Sequence, residues 1–112
     1  MSQYNECAMS ERIETIKAML QDNPGDVFLL YSLGMEQASL GRLDLAADAL
    51  GECIAADTDY LPAWMERAKV LRADGQLDQA REAFQGALEL AGRQGDTHAA
   101  DAIRGQLEAL GQ

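Results

Sequence analysis

The sequence predicts an all-α protein in which about six antiparallel helices stack as hairpins into a solenoid. Its 112 residues are rich in Ala, Leu, Glu, Gln and Arg, which are strong helix formers, and only 5% of them are aromatic. The stretch GRLDLAADAL, residues 41–50, returns 34 positions later as GQLDQAREAF, residues 75–84, with five of ten positions identical. A fixed period of this length is typical of helical-hairpin solenoids, in which each unit buries its apolar face against the next.

The first predicted helix covers residues 10–22, and we expect residues 1–9 before it to be a flexible N-terminus. Apolar residues follow helical spacing along this segment at Ile13, Ile16, Met19 and Leu20. The sequence Asn23-Pro24-Gly25 then ends the helix, because proline and glycine both interrupt helical structure. Residues 10–26 therefore form one N-terminal helix with the turn that follows it.

Helices two and three form the first predicted hairpin. Asp26 is a plausible N-cap for a helix that runs to Leu40. Gly41 ends that helix by adopting the left-handed conformation that a tight turn requires. The next helix covers Leu43 to Ala56, with small and apolar residues on one side and acidic residues on the other.

The remaining helices form a second predicted hairpin and a final helix. The fourth helix tolerates Pro62 in its first turn, after the capping candidates Thr58 and Asp59, and ends near residue 73. The fifth and sixth helices cover residues 77–91 and 96–110.

Small residues recur at matching positions of the two hairpins, and we expect them to meet where paired helices cross. They are Gly34 and Ala68 on the first helix of each pair, and Ala46, Ala49, Ala80 and Ala83 on the second. Such contacts allow backbones to approach to about 8–10 Å. Leu50 and Phe84 are then expected to fill the layer between the hairpins.

The period and its residues resemble the tetratricopeptide repeat. Repeat one, residues 27–60, matches the family pattern at Leu30, Leu33, Gly34, Gly41, Ala46, Leu50 and Cys53. Repeat two, residues 61–94, matches it at Trp64, Ala68, Leu71, Gly75, Ala80, Phe84 and Ala87. Departures from the pattern are Arg12, Gln37, Thr58, Arg67 and Gly92. The resemblance implies a single domain over residues 1–112: a right-handed superhelix with 10–26 as a half repeat and 95–112 as a C-terminal capping helix.

The resemblance also implies a function, which is to hold a peptide or helix of another protein on the concave face. The residues that match groove positions are Phe28, Tyr31, Met35, Met65, Glu66, Lys69 and Arg72, with Ser32, Ala38, Ser39 and Ala73 beside them. The apolar members suit an amphipathic helix or an extended apolar peptide, and Lys69 and Arg72 could receive an acidic group. The alternative is that Phe28, Tyr31 and Met35 pack under the N-terminal helix or a neighbouring repeat. Trp64 matches a core position.

Two other partner modes follow from the same resemblance. Members that grip the carboxylate-ended tails of chaperones use Lys and Asn at groove positions that here hold Tyr31, Met35 and Glu66, so this carboxylate clamp is absent. Self-association is the alternative function, because the apolar groove or the end helices of a short array could pair across a two-fold axis. A homodimer is the expected product of that mode.

The charge of the chain disfavours nucleic acids and anionic membranes as partners. The net charge is −10, and residues 1–60 carry 11 acidic and only 3 basic side chains. Binding to phosphates requires clustered Lys and Arg. The longest uncharged apolar run, residues 27–35, is too short to span a bilayer, and the first residues do not resemble a secretory signal. We therefore expect a cytoplasmic protein, in which both cysteines are free thiols.

The sequence also predicts a protein without catalytic, cofactor or metal sites. It has no glycine-rich phosphate loop and no serine in a nucleophile elbow. One His and two Cys cannot supply the four ligands of a zinc site, and Cys53 is expected to be a small core residue. His98 is expected to be exposed. Asp57-Thr58-Asp59 is interpreted as a capping turn rather than a calcium loop, because Leu61 occupies the third ligand position.

Overall fold

A computed structural model describes the backbone of residues 2–111 and the side chains of residues 10–111, and the described chain is all-α. Its six helices are α1 (Ser2–Asp22), α2 (Val27–Ser39), α3 (Leu43–Ala56), α4 (Leu61–Ala73), α5 (Leu77–Gln94) and α6 (Thr97–Gly111). Each helix packs mainly against the helices before and after it in the chain. This is the arrangement of a solenoid of antiparallel hairpins, so the predicted fold class is confirmed.

The turns between helices follow the sequence signals closely. The Leu29 N–H donates to Asp26 Oδ1 at 3.0 Å, which confirms Asp26 as the N-cap of α2. Gly41 and Gly75 have φ angles of 76° and 79°, a left-handed conformation that costs glycine nothing. Both hairpins therefore turn in the same way, and α3 has the bounds that the sequence predicted.

Two helix ends differ from the sequence prediction by three residues or more, three others differ by one residue, and one predicted cap is absent. Helix α1 begins at Ser2 instead of residue 10, and α5 continues to Gln94 because the glycine with positive φ (70°) is Gly95. Helix α4 has Tyr60 at its N-cap without a side-chain cap, and the Asp57 carboxylate instead accepts the Asp59 N–H at 3.0 Å. The capping roles predicted for Thr58 and Asp59 were therefore wrong. The flexibility expected of residues 1–9 stays a prediction, because Met1 and the side chains of 2–9 lie outside the described part.

The two helices of each hairpin approach closely at a glycine. A Cβ atom placed on Gly34 of α2 would lie 2.6 Å from Leu50 Cγ and 3.4 Å from the Ala46 carbonyl oxygen of α3. The predicted meeting of Gly34 with Ala46 is confirmed. In the second hairpin, a Cβ on Gly86 would lie 2.6 Å from Trp64 Cζ3. Both approaches are too close for any side chain other than hydrogen without movement of the neighbour.

The main core combines alanines with larger apolar residues, among them Leu50 and Phe84. The predicted contact residues are buried to 5% exposure or less: Ala46, Ala49, Ala68, Ala80 and Ala83. Leu50 and Phe84 belong to one apolar cluster that runs from α3 to α6, so they link the hairpins as predicted. Leu50 also packs inside its own hairpin, against Gly34, which the sequence analysis did not anticipate.

Helix α1 is attached to α2 by a buried apolar side chain and an ion pair. Ile13 is 1% exposed, and its burial contributes about 1.5–3 kcal/mol. Arg12 donates to Glu36 through two bonds, Nε to Oε1 at 3.1 Å and Nη2 to Oε2 at 3.2 Å. An ion pair this exposed stabilises by about 0–1 kcal/mol, so Ile13 is the stronger attachment.

The close approach at Gly34 can be tested by adding one methyl group. We expect Gly34→Ala to lower the free energy of unfolding by about 1–3 kcal/mol, because the new Cβ overlaps Leu50. Urea unfolding followed by circular dichroism measures the change. Gly105→Ala is the matched control, since Gly105 is helical with no atom within 4 Å of a new Cβ, and it should stabilise by about 1 kcal/mol. Equal effects of the two substitutions would contradict the close packing.

Candidate functional site

The first helices of the two hairpins, α2 and α4, carry the predicted groove residues. Phe28 is 71% exposed, which argues against the alternative that it packs under α1. Lys69 is also exposed, whereas five side chains are half-buried: Tyr31, Met35, Met65, Glu66 and Arg72. Tyr31 and Met65 pack with one side against the main core, so α2 and α4 each contribute a side chain to its groove side.

Three aromatic rings meet at one end of this groove, and we call Phe28, Tyr31 and Tyr60 the aromatic cluster. The Tyr31 and Tyr60 ring centroids lie 5.5 Å apart at an interplanar angle of 84°. Phe28 and Tyr60 are 6.2 Å apart at 88°. Both pairs have the edge-to-face geometry that aromatic rings prefer. Tyr60 therefore joins two rings that α2 presents one turn apart.

Sequence reasoning missed Tyr60 because that residue ends repeat one and lies just before α4. No local pattern pointed to Tyr60, and the amino-acid composition gave the one signal for it. The chain has six aromatic residues, and three of them are the members of this cluster. Helical geometry placed Phe28 and Tyr31 on one face, but only the packing of α4 against α2 shows that Tyr60 joins them.

The surroundings of Tyr31 include acidic groups as well as rings. Burial raises the pKa of the Tyr31 phenol above its ordinary value, and the negative charge of Glu66 raises it further, followed by Tyr60 and Cys53. The phenol is therefore protonated at neutral pH and can act as a hydrogen-bond donor. Glu66 is close enough for its charge to act on Tyr31, so α4 contributes a carboxylate beside the aromatic cluster.

The basic groove residues already have partners. Lys69 Nζ lies 3.4 Å from Glu66 Oε2, one turn away on α4. The guanidinium carbon of Arg72 lies 5.9 Å from the centre of the Phe84 ring, within the range of a cation–π contact. Both cations therefore already contact a neighbouring group and would have to give up that contact to bind an acidic ligand. Both remain at the surface of the groove.

Two predicted core residues lie where the sequence placed them. Trp64 packs on Gly86, and its Nε1–H donates to the Thr58 carbonyl oxygen at 3.0 Å. Cys53 is 0% exposed, and its Sγ donates to the Val27 carbonyl oxygen at 3.4 Å. Burial raises the pKa of the Cys53 thiol, and Asp57 raises it further. The core roles of Trp64 and Cys53 are confirmed, and His98 is exposed as expected.

A second surface feature is an open groove of about 530 Å³ along α1. It is lined by Glu11, Arg12, Thr15, Ile16 and Met19. Four of these residues lie 34 positions before residues that are buried in α3, namely Ala46, Ala49, Leu50 and Cys53. In α3 these positions form one helix face. The corresponding face of α1 is uncovered in the described chain, and Met19 on it is 50% exposed.

The described residues contain neither a candidate membrane-spanning helix nor a candidate metal site. None of the helices there has the length and apolar character needed to cross a membrane. Nor do any three His, Cys, Asp or Glu side chains of that part come together in a way that could hold a metal ion.

Comparison with known sequences identifies repeats. A family model described as the tetratricopeptide repeat matches residues 29–60 and 61–94. A TPR repeat-containing protein of Pseudomonas aeruginosa is 31% identical over 87 residues, which cover 78% of this chain and 83% of that protein. Tetratricopeptide repeat protein 7A of Homo sapiens is 33% identical over 82 residues, which cover 73% of this chain but only 10% of that protein.

Comparison with solved structures supports the same fold. The type III secretion chaperone SycD of Yersinia enterocolitica, solved in complex with a peptide of the translocator YopD, superposes with a TM-score of 0.83. The match covers 97% of this chain and 84% of that chain, at 21% sequence identity. At this identity the likeness is one of fold.

The burial of Cys53 predicts a thiol that resists modification. In a Cys7→Ser variant, where Cys53 is the single cysteine, we expect Ellman's reagent to react at least about 100-fold more slowly with the folded protein than with the urea-unfolded one. The reason is that burial excludes the reagent and its effect on the pKa disfavours the reactive thiolate. Equal rates before and after unfolding would show that Cys53 is not in the core.

Proposed function

Because the chain belongs to the tetratricopeptide repeat family, we propose that it is a non-enzymatic protein-interaction module that binds a segment of a partner protein in the groove of α2 and α4. The observation that carries the proposal is the 71% exposure of Phe28, whose ring contacts the Tyr60 ring, one helical turn before the half-buried Tyr31. A large ring held in water on a rigid face is typical of a surface that a partner covers.

The rigidity of the scaffold supports this function. Gly34 against Leu50 and Trp64 against Gly86 fix the distance between the helices of each hairpin. Helix α3 packs against α4 between the two hairpins, so the groove residues of α2 and of α4 are each presented by a close-packed hairpin. A preformed site loses less conformational entropy on binding, which raises affinity for a given contact area.

The composition of the groove favours an apolar or amphipathic segment as the ligand. Its methionines, Met35 and Met65, are flexible and polarizable, so they can adapt to different apolar side chains. A helix or an extended strand could present such side chains at suitable intervals. The solved complex of the chaperone SycD with a peptide of YopD is a precedent for peptide binding by this fold.

The groove can be tested by adding charges to it. We expect a Tyr31→Glu, Met65→Glu double variant to lose the proteins that wild type captures from native lysate, because two carboxylates would enter an apolar contact. Mass spectrometry of the captured proteins is the measurement. Phe28→Glu should lose the same proteins without a folding defect, since that side chain is already mostly in water.

A matched control distinguishes the groove from general surface acidity. Leu45 and Leu77 are 45% and 50% exposed and lie on α3 and α5, the second helices of the hairpins. A Leu45→Glu, Leu77→Glu variant adds the same charge and removes exposed apolar groups elsewhere. It should capture the wild-type set of proteins. If the groove variants and this control behave alike, the groove assignment is wrong.

A second candidate function is self-association through α1. The specific observation is the uncovered face on which Ile16 and half-exposed Met19 line an open groove. The same positions in α3 are covered by a neighbouring helix. A second copy of the chain could cover this face with its own α1 across a two-fold axis.

Self-association predicts a dimer in solution that depends on Met19. Light scattering coupled to size exclusion should give the mass of two chains for wild type and of one chain for Met19→Glu, because a buried carboxylate opposes pairing. Leu77→Glu, a similarly exposed site on α5, should remain dimeric. A wild-type monomer at all accessible concentrations would eliminate this function.

A further inference from the structure

The repeat architecture does not require the aromatic cluster. The positions 34 residues after Phe28, Tyr31 and Tyr60 hold Pro62, Met65 and Gln94 in the second repeat. That repeat folds into the same hairpin without aromatic rings at these places. In addition, Phe28 is 71% exposed, so it contributes little to the core. Tyr31 and Tyr60 pack with one side against buried core residues, but packing does not explain the exposed ring of Phe28, which a ligand would explain.

The geometry of the cluster leaves aromatic surface open to a ligand. Both ring pairs are close to perpendicular, at 88° and 84°, and they share Tyr60. Perpendicular rings form a corner rather than a stack, and the exposed Phe28 forms one wall of it. The face of an aromatic ring carries partial negative charge and attracts a cation placed over it.

The charged side chains around the cluster also favour a cationic ligand. Asp26 precedes Phe28 by two positions and Asp59 adjoins Tyr60, while Glu66 follows Met65, which packs against the same core cluster as Tyr31. The charge of Glu66 acts on Tyr31. Asp26 caps α2, which leaves Asp59 and Glu66 as the carboxylates for a ligand. Among the other bases, Arg67 lies against Gly51 of α3, and the exposed Lys69 pairs with the half-buried Glu66 at 3.4 Å. An exposed pair is weak and can be exchanged for another cation.

We propose that the aromatic cluster and Glu66 form a subsite for a basic side chain, arginine or lysine, of the segment bound in the groove. This inference rests on the proposed function and specifies the partner's chemistry: an apolar segment that carries a basic residue at one end. The incoming cation lies over the rings and takes the place of Lys69 beside Glu66. An acidic protein with a net charge of −10 would also attract such a segment electrostatically.

Small probes test the subsite without knowledge of the partner. The probes are N-acetyl-arginine methylamide and N-acetyl-citrulline methylamide, which have nearly the same shape but differ in charge. Backbone amide shifts in two-dimensional NMR report where each probe binds and how strongly. We expect the arginine probe to bind around residues 28, 31, 60 and 66, with an affinity about 5-fold higher than that of the citrulline probe.

Three substitutions separate the contributions. Phe28→Leu keeps the site apolar and removes the ring, so it should weaken the arginine probe about 3-fold and leave the citrulline probe unchanged. Glu66→Gln should weaken the arginine probe, whereas Glu52→Gln, which removes an exposed carboxylate of α3, should not. Lys69→Gln should strengthen it, because the competing cation is gone.

Several outcomes would overturn the subsite. Equal binding of the two probes would show that charge is irrelevant there. Shift changes spread over acidic surfaces, or unaffected by Phe28→Leu, would indicate general electrostatic attraction, and no shift change at all would mean no site. The capture experiment decides the proposed function separately. Arginine binding without any captured partner would support the subsite and contradict the proposed function. Captured partners without a preference for arginine would support the function and contradict the subsite.

Discussion

The close approach of paired helices at one glycine per hairpin is the constraint on which the rest of the structure depends. In the first hairpin the glycine is Gly34 on the first helix, and Leu50 of the second helix fills the space above it. In the second hairpin the positions are exchanged, since Gly86 lies on the second helix and Trp64 of the first covers it. Each hairpin therefore places a large side chain of one helix against a glycine of the other. This pairing sets the separation of the helices in each hairpin, and the packing of α3 against α4 then places α2 and α4 on the same side of the stack.

The sequence predicted those parts of the fold that local chemistry determines, and it missed those that depend on distant contacts. Gly41 and Asp26 act within a few residues of their own position, so the turn and the cap that they form were predictable. The predicted end of α5 was wrong because Gly92 and Gly95 are both residues that commonly end a helix. Only the backbone conformation shows that Gly95 is the one with positive φ. Tyr60 was missed for a different reason: its role arises from packing between α2 and α4, which no local pattern of residues 57–61 reveals.

Two departures from the repeat pattern, Arg12 and Gln37, have different consequences for packing. Arg12 stands 34 positions before Ala46, yet it is compatible with the fold because no helix covers that face of α1 in the described chain. Its guanidinium instead reaches Glu36 and helps to attach α1 to α2. Gln37, which stands 34 positions before the buried Leu71, is different: it is 3% exposed, and its Oε1 has no hydrogen-bond partner among the described side chains and backbone. An unpaired buried amide oxygen lowers stability, and nothing in the described structure explains why it is there.

The division between core and groove positions gives the groove a direction. Several core positions keep small or large residues at matching places, such as Gly34 with Ala68 and Leu50 with Phe84, whereas groove positions differ more. The aromatic rings lie at the N-terminal ends of α2 and α4, whereas Arg72, in the last turn of α4, lies over Phe84. A bound segment that runs parallel to these helices would therefore meet unlike chemistry at its two ends, and its basic side chain would reach the rings in one orientation. The asymmetry of the side chains would then become selectivity for sequence direction.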